Sequence, residues 1–322
     1  MIAQGARVLV FEQTVANYLG ATGGIACTNG TTALSLALKT LGIGSGDEVV
    51  LPSYVCWNVL SAVTAVGAAP RLCDVNDNGV ATVQTIRAVL SPQTRAIVGV
   101  HIFGHPCDID SLASLGLPVI EDACQAFGLG IDGRLAGTLG DIGVLSFHAT
   151  KCLTTGEGGM LVTNNARFLD RARALVDSAD DNNAAGATSM SDLQAALGLA
   201  QLERYPTFLH RRQQLFASYH KTACQVVTAL PGYLGEPTFL FRYTLRAQYG
   251  FENAQAALLA QGVQARRGVD QLLHRRLGLD DRDYPGATKL FAQVVSLPFY
   301  PSLTEQEQAQ VLRAIQEVFD VA

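Results

Sequence analysis

Short apolar runs alternate with amphipathic stretches between about residues 11 and 165, and this alternation constrains the fold more than any other feature of the sequence. The stretches VCWNVLSAVTAVG and TVQTIRAVL have the spacing of helices that cross over between strands. Apolar strands joined in this way predict a mainly parallel sheet covered by helices. The strand-like runs are EVVLP (48–52), PRLCDV (70–75), RAIVGVHIF (95–103), LPVIED (117–122) and VLSF (144–147).

The second part of the chain follows a different pattern. A helical segment (166–177) leads to the polar stretch 178–191, which is the best candidate for a boundary loop, and a long helical pattern follows it. Beyond that come the strand-like TFLFRYTLRA, the helical QAALLAQ, the strand-like VQARR and a terminal helix that begins after SLT. Because single cores stop growing at roughly 250 to 300 residues, the 322 residues predict two domains. We place a large α/β domain at 1–205 and a smaller α+β domain at 206–322.

Charge and cysteine usage exclude several classes of function. The net charge is −5 without long runs of like charge, so the sequence offers no electrostatic footprint for nucleic acid or an anionic membrane. No apolar stretch approaches the roughly 20 residues of a membrane span. The seven cysteines lack CxxC or zinc-ligand spacing, which indicates reduced thiols, a cytoplasmic location and no structural zinc.

The segment TNGTTALSLAL (28–38) contains a candidate phosphate site. Gly30 and Thr31 immediately precede a predicted helix, whose first N–H groups and positive dipole end suit an anion. A threonine N-cap preceded by glycine is the alternative interpretation, since many helices begin in this way.

The segment VIEDACQAFG places Asp122 at the end of a buried strand and Gln125 three residues later. A carboxylate at this position suits a cationic ring nitrogen, such as that of pyridoxal phosphate. An aspartate that caps the next turn is the alternative.

Lys151 lies in SFHATKCLTTGEGG, between hydroxyl side chains and a glycine-rich turn, and Ser146 precedes it at a spacing that lets both reach one phosphate-bearing ligand. Such a lysine can supply an amine that condenses with an aldehyde, although an isolated lysine is most often a surface charge. In PSYVCW, either Cys56 or Trp57 can cover a planar ring, although both residue types are more often core.

A phosphate-ready helix start, a strand-end aspartate and a lysine about 30 residues later occur in the order typical of a pyridoxal phosphate enzyme. With these motifs, the segments NGTTALSLALKTLGIGSGDEVVLPS, HIFGHPCDIDSL, MSDLQAALGLAQLER and LPFYPSLTEQEQ resemble the DegT/StrS family of pyridoxal-phosphate-dependent sugar aminotransferases. The resemblance extends from about residue 12 to residue 315. It implies an aspartate-aminotransferase-like (fold type I) homodimer with active sites at the subunit interface.

The same resemblance implies a role for each candidate residue. It also implies an amino donor such as glutamate and, as acceptor, a keto-sugar attached to a nucleotide. The usual stacking aromatic falls on Cys56, with Trp57 beside it. The other implied roles are the cofactor-bonding amine for Lys151, the pyridine nitrogen partner for Asp122, the neighbour of the phenolic oxygen for Gln125, and the phosphate ligands for Gly30, Thr31 and Ser146.

Three departures from the family pattern concern the substrate side. Ala187 replaces an asparagine that reaches the partner subunit's cofactor phosphate, with Asn182 and Asn183 as possible substitutes. The chain opens about 25 residues later than family members usually do. The substrate segment reads QLLHRR, so that His274 and the arginines around it are only loose candidates.

Other interpretations remain open at this point. A related sugar dehydratase carries histidine in place of the lysine, and a cofactor-binding homologue can have a regulatory or scaffold role. The sequence has no GxGxxG motif with a downstream acidic residue, so it does not indicate a nicotinamide site. Among the remaining side chains, Arg242 is either a ligand for a substrate carboxylate or phosphate or a surface strand arginine. Packing or hydrogen bonding is expected of His101, His105, Cys124 and Cys152.

Overall fold

The computed structural model describes residues 5–181, 188–226 and 240–319. Within these ranges the strands, in chain order, are β1 (Gly23–Cys27), β2 (Glu48–Pro52), β3 (Ala69–Cys73), β4 (Thr94–Val100), β5 (Val119–Asp122), β6 (Gly130–Ile131), β7 (Arg134–Leu135), β8 (Ile142–Ser146), β9 (Gly159–Thr163), β10 (Tyr243–Arg246), β11 (Arg266–Arg267) and β12 (Val294–Leu297). The helices are α1 (Ala6–Leu19), α2 (Gly30–Thr40), α3 (Trp57–Ala65), α4 (Val83–Arg87), α5 (Ile109–Ala113), α6 (Ala166–Asp181), α7 (Asp192–Val226), α8 (Phe251–Ala260), α9 (Leu273–Arg276), α10 (Pro285–Gln293) and α11 (Glu305–Phe319). Two 3₁₀ turns cover Ile102–Gly104 and Asp281–Asp283.

A seven-stranded sheet with the order β1-β9-β8-β5-β4-β2-β3 forms the centre of the molecule. Strands β2, β3, β4, β5 and β8 pair in parallel, whereas β9 runs antiparallel to both β8 and β1. The prediction of a mainly parallel covered sheet is therefore confirmed. The five predicted strand-like runs correspond to β2, β3, β4, β5 and β8, but the glycine-containing β1 and β9 were not predicted.

Helices α1 and α7 pack together beside this sheet. The Asp192 carboxylate at the start of α7 accepts hydrogen bonds from the backbone N–H groups of Gly5 and Val8, at 3.0 and 3.1 Å. The missing side chain of Gly198 makes room for the Phe11 ring, since a Cβ there would lie 2.5 Å from a ring carbon. The first turn of α1 is thus attached to α7.

The C-terminal part contains a second sheet with the order β10-β12-β11, in which both pairs are antiparallel. Strand β12 and helix α10 were not predicted, although β12 is the central strand. Helix α7 runs without a break through Pro206, so the predicted domain boundary at 205/206 falls inside a helix. The division of the chain at that point stays a prediction.

Candidate active site

The predicted site residues gather at one edge of the large sheet. Gly30 begins the helix after β1, Asp122 and Ser146 end the neighbouring strands β5 and β8, and Lys151 lies in the loop between β8 and β9. Ligands in open α/β sheets bind outside the carboxyl ends of the strands, which is the edge at which these residues lie.

The start of helix α2 is built as an anion site. Its N-cap is Asn29, whose Oδ1 accepts the Thr32 N–H at 2.8 Å, so the alternative of a threonine cap was wrong and the helix begins two residues earlier than predicted. In the described ranges no acceptor is found for the N–H groups of Gly30 and Thr31. These two donors at the positive end of the helix dipole suit a phosphate.

Ser146 lies directly against this helix start. A Cβ on Gly30 would be 3.0 Å from the Ser146 Cβ and 3.3 Å from the Cys124 Sγ. Gly159 at the start of β9 makes a closer approach, since its Cβ would lie 2.3 Å from the Asn29 carbonyl carbon. Because both positions lack side chains, β8, β9 and α2 come together and place the Ser146 hydroxyl beside the free N–H groups.

Asp122 is buried, and its Oδ1 accepts the Cys124 N–H at 3.0 Å. The turn-capping interpretation therefore holds for one carboxylate oxygen. Burial, and then the Asp122 charge, raise the pKa of the Cys124 thiol well above its ordinary value, while Lys151 acts in the opposite direction. Asp122 and Lys151 therefore both lie close enough to Cys124 for their charges to act on its thiol.

A buried network behind Asp122 fixes the end of strand β5. The fully buried Glu121 accepts a hydrogen bond from His101 Nε2 at 2.9 Å, while His101 Nδ1 accepts the Cys107 N–H. The other donors to Glu121 are the N–H groups of Gly137, Leu139 and Gly140. Burial by itself raises the pKa of Glu121, but the interactions with His101 and the backbone donors lower it overall. The sequence predicted hydrogen bonding for His101 without identifying this partner.

The Gln125 side chain is tied to the segment after β4. Its Oε1 accepts the Phe103 N–H at 2.9 Å, which leaves the NH₂ group as its available donor towards the site. Phe103 has φ 57°, a left-handed conformation that is uncommon for a bulky residue. This turn was not recognised from the sequence.

Lys151 is half-buried, and its backbone N–H closes a turn onto the His148 carbonyl at 2.9 Å. Its Nζ lies 5.0 Å from the centre of the Phe241 ring. In the part of the chain that the structure describes, no carboxylate lies within ion-pair distance of Nζ. The amine is therefore positioned by an aromatic face and is not neutralised by an acidic side chain.

Phe241 is held from two directions. Its N–H donates to the Phe103 carbonyl at 3.1 Å, and its own carbonyl accepts a hydrogen bond from the buried Arg212 at 3.1 Å. Neither Phe241 nor Arg212 was predicted as a site residue. The run TFLFRYTLRA was noted only as a strand, and apolar residues at its start carry no signal of contact with a lysine about 90 positions earlier.

Cys56 and Trp57 occupy the start of helix α3 and are both exposed. The Arg276 guanidinium lies 5.4 Å from the centre of the Trp57 ring. Cys56 instead lies near enough to Cys124 and Arg242 to contribute to the pKa shifts of both groups. Which of the two residues covers the cofactor stays a prediction.

His274 does not face the site, so its candidacy as a substrate residue was wrong. It is fully buried, and its two ring nitrogens contact Ser53 Oγ at 2.6 Å and Asp281 Oδ1 at 2.9 Å. The His274 ring also stacks on Tyr284 at 4.4 Å. A histidine with both nitrogens engaged and both faces covered connects structural elements and has no free atom for a substrate.

The remaining predictions have mixed outcomes. His105 is buried, and burial lowers its pKa to about 4, as a packing residue requires. Cys124 and Cys152 are half-buried thiols whose pKa values burial raises. The described residues contain no cluster of metal-ligand side chains and no helix able to cross a membrane. Asn182, Asn183 and Ala187 lie outside the described residues.

This geometry fits pyridoxal phosphate. The space beside Gly30, the Ser146 hydroxyl and two free N–H groups suit the phosphate, a buried carboxylate lies nearby, and an amine without an acidic partner suits the aldehyde. An open α/β sheet with this set of groups at its carboxyl edge defines the class of pyridoxal-phosphate-dependent enzymes with the aspartate-aminotransferase-like fold.

Comparisons with known proteins identify the family within this class. The model of the DegT/DnrJ/EryC1/StrS aminotransferase family matches residues 1–316, and the chain belongs to this family. It is 34% identical to the GDP-perosamine synthase of Caulobacter vibrioides over 98% of this chain and 90% of that protein. The protein is therefore a pyridoxal-phosphate-dependent aminotransferase.

Two solved structures extend the likeness. The first is S. venezuelae DesV in complex with a ketimine intermediate, with 27% identity, a TM-score of 0.91 and coverage of 100% of this chain and 91% of that chain. The second is DesI in the presence of its TDP-sugar product, with 28% identity, a TM-score of 0.89 and coverage of 99% and 86%.

Proposed function

We propose that this aminotransferase moves an amino group from glutamate or a similar donor to a keto-sugar attached to a nucleotide. The observation that carries the proposal is the Lys151 amine, which lies beyond the carboxyl end of β8 and has no acidic partner among the residues described. A lysine at this position also favours transamination over the sugar dehydration carried out by related enzymes with histidine there.

Lys151 has two tasks in this proposal. With pyridoxal phosphate bound, its amine would hold the cofactor through the aldehyde and, when free, would accept and return the proton of the substrate carbon. Pyridoxal phosphate supplies the electron sink that makes the α-proton removable. The Phe241 ring, 5.0 Å from Nζ, packs beside the amine and limits where it can lie.

The other candidate residues hold the cofactor. The N–H groups of Gly30 and Thr31 and the Ser146 hydroxyl would bind the phosphate. The carboxylate of Asp122 would pair with the ring nitrogen and keep it protonated. The Gln125 NH₂ group donates to the phenolic oxygen, because its Oε1 is already occupied by Phe103.

The substrate class is supported by the relatives. One is named GDP-perosamine synthase, and another was solved in the presence of its TDP-sugar product. Both names concern sugars linked to nucleoside diphosphates, and we extend that substrate class to this chain.

We also propose that the protein is a homodimer. Helices α1 and α7, which pack together, expose apolar side chains: Leu9 is 60% and Leu193 is 70% exposed, and Val10 and Leu197 are exposed beside them. A patch of this kind on two packed helices suits a second copy of the chain. Light scattering would give twice the chain mass for the wild type, and Leu193→Glu would shift it towards monomer. A monomeric wild type would contradict the proposal.

A cytoplasmic location completes the proposal. All seven cysteines lie in described positions, and none forms a disulfide. Reduced thiols are typical of that compartment. Fractionation of the native host would test the location.

The experiment that tests the function is an absorption spectrum of the purified protein with pyridoxal phosphate, before and after L-glutamate. Borohydride reduction followed by peptide mass mapping would identify the residue that carries the cofactor. We expect the adduct on Lys151 and conversion of the spectrum by glutamate. An adduct on another residue, or none, would refute the assignment of Lys151. An adduct on Lys151 whose spectrum does not change with glutamate would show that glutamate is not the amino donor.

A further inference from the structure

Several arginines in and around the small sheet form ion pairs with carboxylates, whereas the partly buried Arg242 forms none with the residues that the structure describes. The ion pairs are Arg246–Asp77, Arg267–Glu252 and Arg275–Asp281. Arg242 has no carboxylate within ion-pair distance in the described ranges. Asp270 acts on it only through longer-range charge.

The Arg242 guanidinium is nevertheless held in place. Its Nη1 donates to the carbonyls of Arg267 and Gly268, at 3.3 and 2.9 Å. The Cζ lies 5.5 Å from the centre of the Phe103 ring and 5.6 Å from that of Phe241. Burial lowers the Arg242 pKa, which means that the charge is partly removed from water. Arginine stays protonated at neutral pH even so.

Only Nη1 is occupied by these contacts. For Nε and Nη2, the structure gives no acceptor among the residues that it describes. These two nitrogens form one side of the guanidinium fork, which matches two oxygens of a carboxylate or phosphate. A fixed, partly desolvated cation with that side open has the form of an anion-binding group.

Arg242 and Lys151 share the Phe241 ring as a neighbour. Lys151 Nζ and Arg242 Cζ both contact the Phe241 ring, so their separation is at most the sum of the two distances to its centre. Cys56, at the start of α3, makes a small charge contribution to the Arg242 pKa. The arginine is therefore placed to meet a group attached to a substrate that reacts at Lys151.

We infer that Arg242 forms a substrate-anion subsite beside Lys151, with the Phe103 and Phe241 rings as its walls. Its ligand is either a carboxylate of the amino donor or a phosphate of the nucleotide-linked acceptor. The identity of these two substrates rests on the proposed function, whereas the presence of an anion subsite does not.

The first test compares Arg242→Gln with Arg266→Gln, which removes an exposed arginine from β11 and so makes the same change in net charge. The apparent Kd for L-glutamate is measured by single-turnover conversion of the cofactor-loaded protein. If Arg242 binds the donor carboxylate, Arg242→Gln raises this Kd about 10- to 100-fold, the loss expected for a charged hydrogen-bonded pair. Arg266→Gln changes it less than about twofold.

The second test measures binding alone and separates the two sources of anion. Calorimetric titrations with glutarate and with GDP are made on the wild type and both variants. Weaker glutarate binding in Arg242→Gln alone supports a carboxylate ligand, and weaker GDP binding supports a phosphate ligand. Unchanged affinity for both probes, together with unchanged glutamate Kd, overturns the inference. These titrations give an answer even if the protein proves not to transaminate.

Two further measurements cover a failure of Arg242→Gln to fold. Arg242→Lys keeps the charge and the apolar stem but loses the fork, so we expect an intermediate loss of affinity. In the wild type, glutarate or GDP is expected to protect Arg242 from a dicarbonyl reagent that modifies guanidinium groups, as mapped by peptide mass. Equal modification of Arg242 with and without both probes would overturn the inference.

Discussion

The two ends of the candidate site are built in different ways. At the cofactor end, Gly30 and Gly159 allow backbone segments of the large sheet to touch, and Asp122 stands on a strand end fixed by buried hydrogen bonds. At the substrate end, the exposed Cys56 and the Phe241–Arg242 pair come from separate elements. Backbone contact tolerates little change in side-chain volume, whereas a surface assembled from side chains can change one residue at a time. The strand-end region around Gly30 and Asp122 is thus fixed by packing, whereas the region around Cys56, Phe241 and Arg242 is more open to substitution.

The largest effect is expected at the point where the two ends meet. Lys151→Ala removes both the amine that holds the cofactor and the base that moves the proton, so turnover should fall by roughly four orders of magnitude or more. Steady-state kinetics and the thermal midpoint would be measured together. An unchanged midpoint with no turnover supports the assignment, and sustained turnover in this variant would refute it.

The next effect tests whether backbone contact sets the cofactor end. In Gly159→Ala the new methyl group would lie 2.3 Å from the Asn29 carbonyl carbon, so strand and helix start must move apart. We expect a loss of about 3 kcal/mol in the free energy of unfolding and weaker cofactor binding. Denaturant unfolding and cofactor titration would measure both.

Gly44→Ala is the matched control for this variant. Gly44 has no left-handed backbone, and its nearest neighbour would be 3.6 Å from the new methyl group, an ordinary contact. We expect it to leave stability and cofactor affinity nearly unchanged. Similar effects for the two variants would mean that the close approach at Gly159 is not what shapes the site.

A smaller effect is expected from the network behind Asp122. In Glu121→Gln an NH₂ group takes the place of one carboxylate oxygen. Both of these oxygens accept hydrogen bonds, so the NH₂ group would face N–H donors, and the free energy of unfolding should fall by about 2 kcal/mol at pH 7. The folded pKa of Glu121 lies below its ordinary value of 4.5. Its contribution is therefore complete above that pH and is lost as pH falls through the lower, folded pKa.

Urea unfolding at several pH values would follow this difference. The control is Glu252→Gln, whose carboxylate is exposed and should contribute less than about 0.5 kcal/mol. The difference in the free energy of unfolding between the wild type and Glu121→Gln could instead stay constant down to the lowest pH at which the protein folds. In that case the ionised carboxylate would not be the source of the stability.

The same contrast explains what could be predicted from the sequence. Strands β2, β4, β5 and β8 come from apolar runs of the sequence, so their positions could be predicted. Asp122 ends β5 and Lys151 lies in the loop after β8, while the roles of both residues stay predictions. Strands β1 and β9 were not predicted, because glycine, which permits their close contacts, weakens the sequence pattern of a strand. The environment of Arg242 could not be derived, because its neighbours Phe103 and Phe241 meet only in the tertiary structure.

The smallest effect concerns Cys56, which stands where family members usually carry an aromatic residue. Its thiol is exposed and coupled to both Cys124 and Arg242, so a ring at this position would extend over the space between the two ends. Cys56→Tyr should tighten cofactor binding about three- to tenfold, the gain of one aromatic stacking contact. Cys56→Ala, which removes the thiol without adding a ring, should stay within about twofold of the wild type. Equilibrium titration with pyridoxal phosphate would compare the three proteins. If tyrosine weakened binding instead, the space above the cofactor would already be filled by Trp57, and the substrate end would be less open than the exposed thiol indicates.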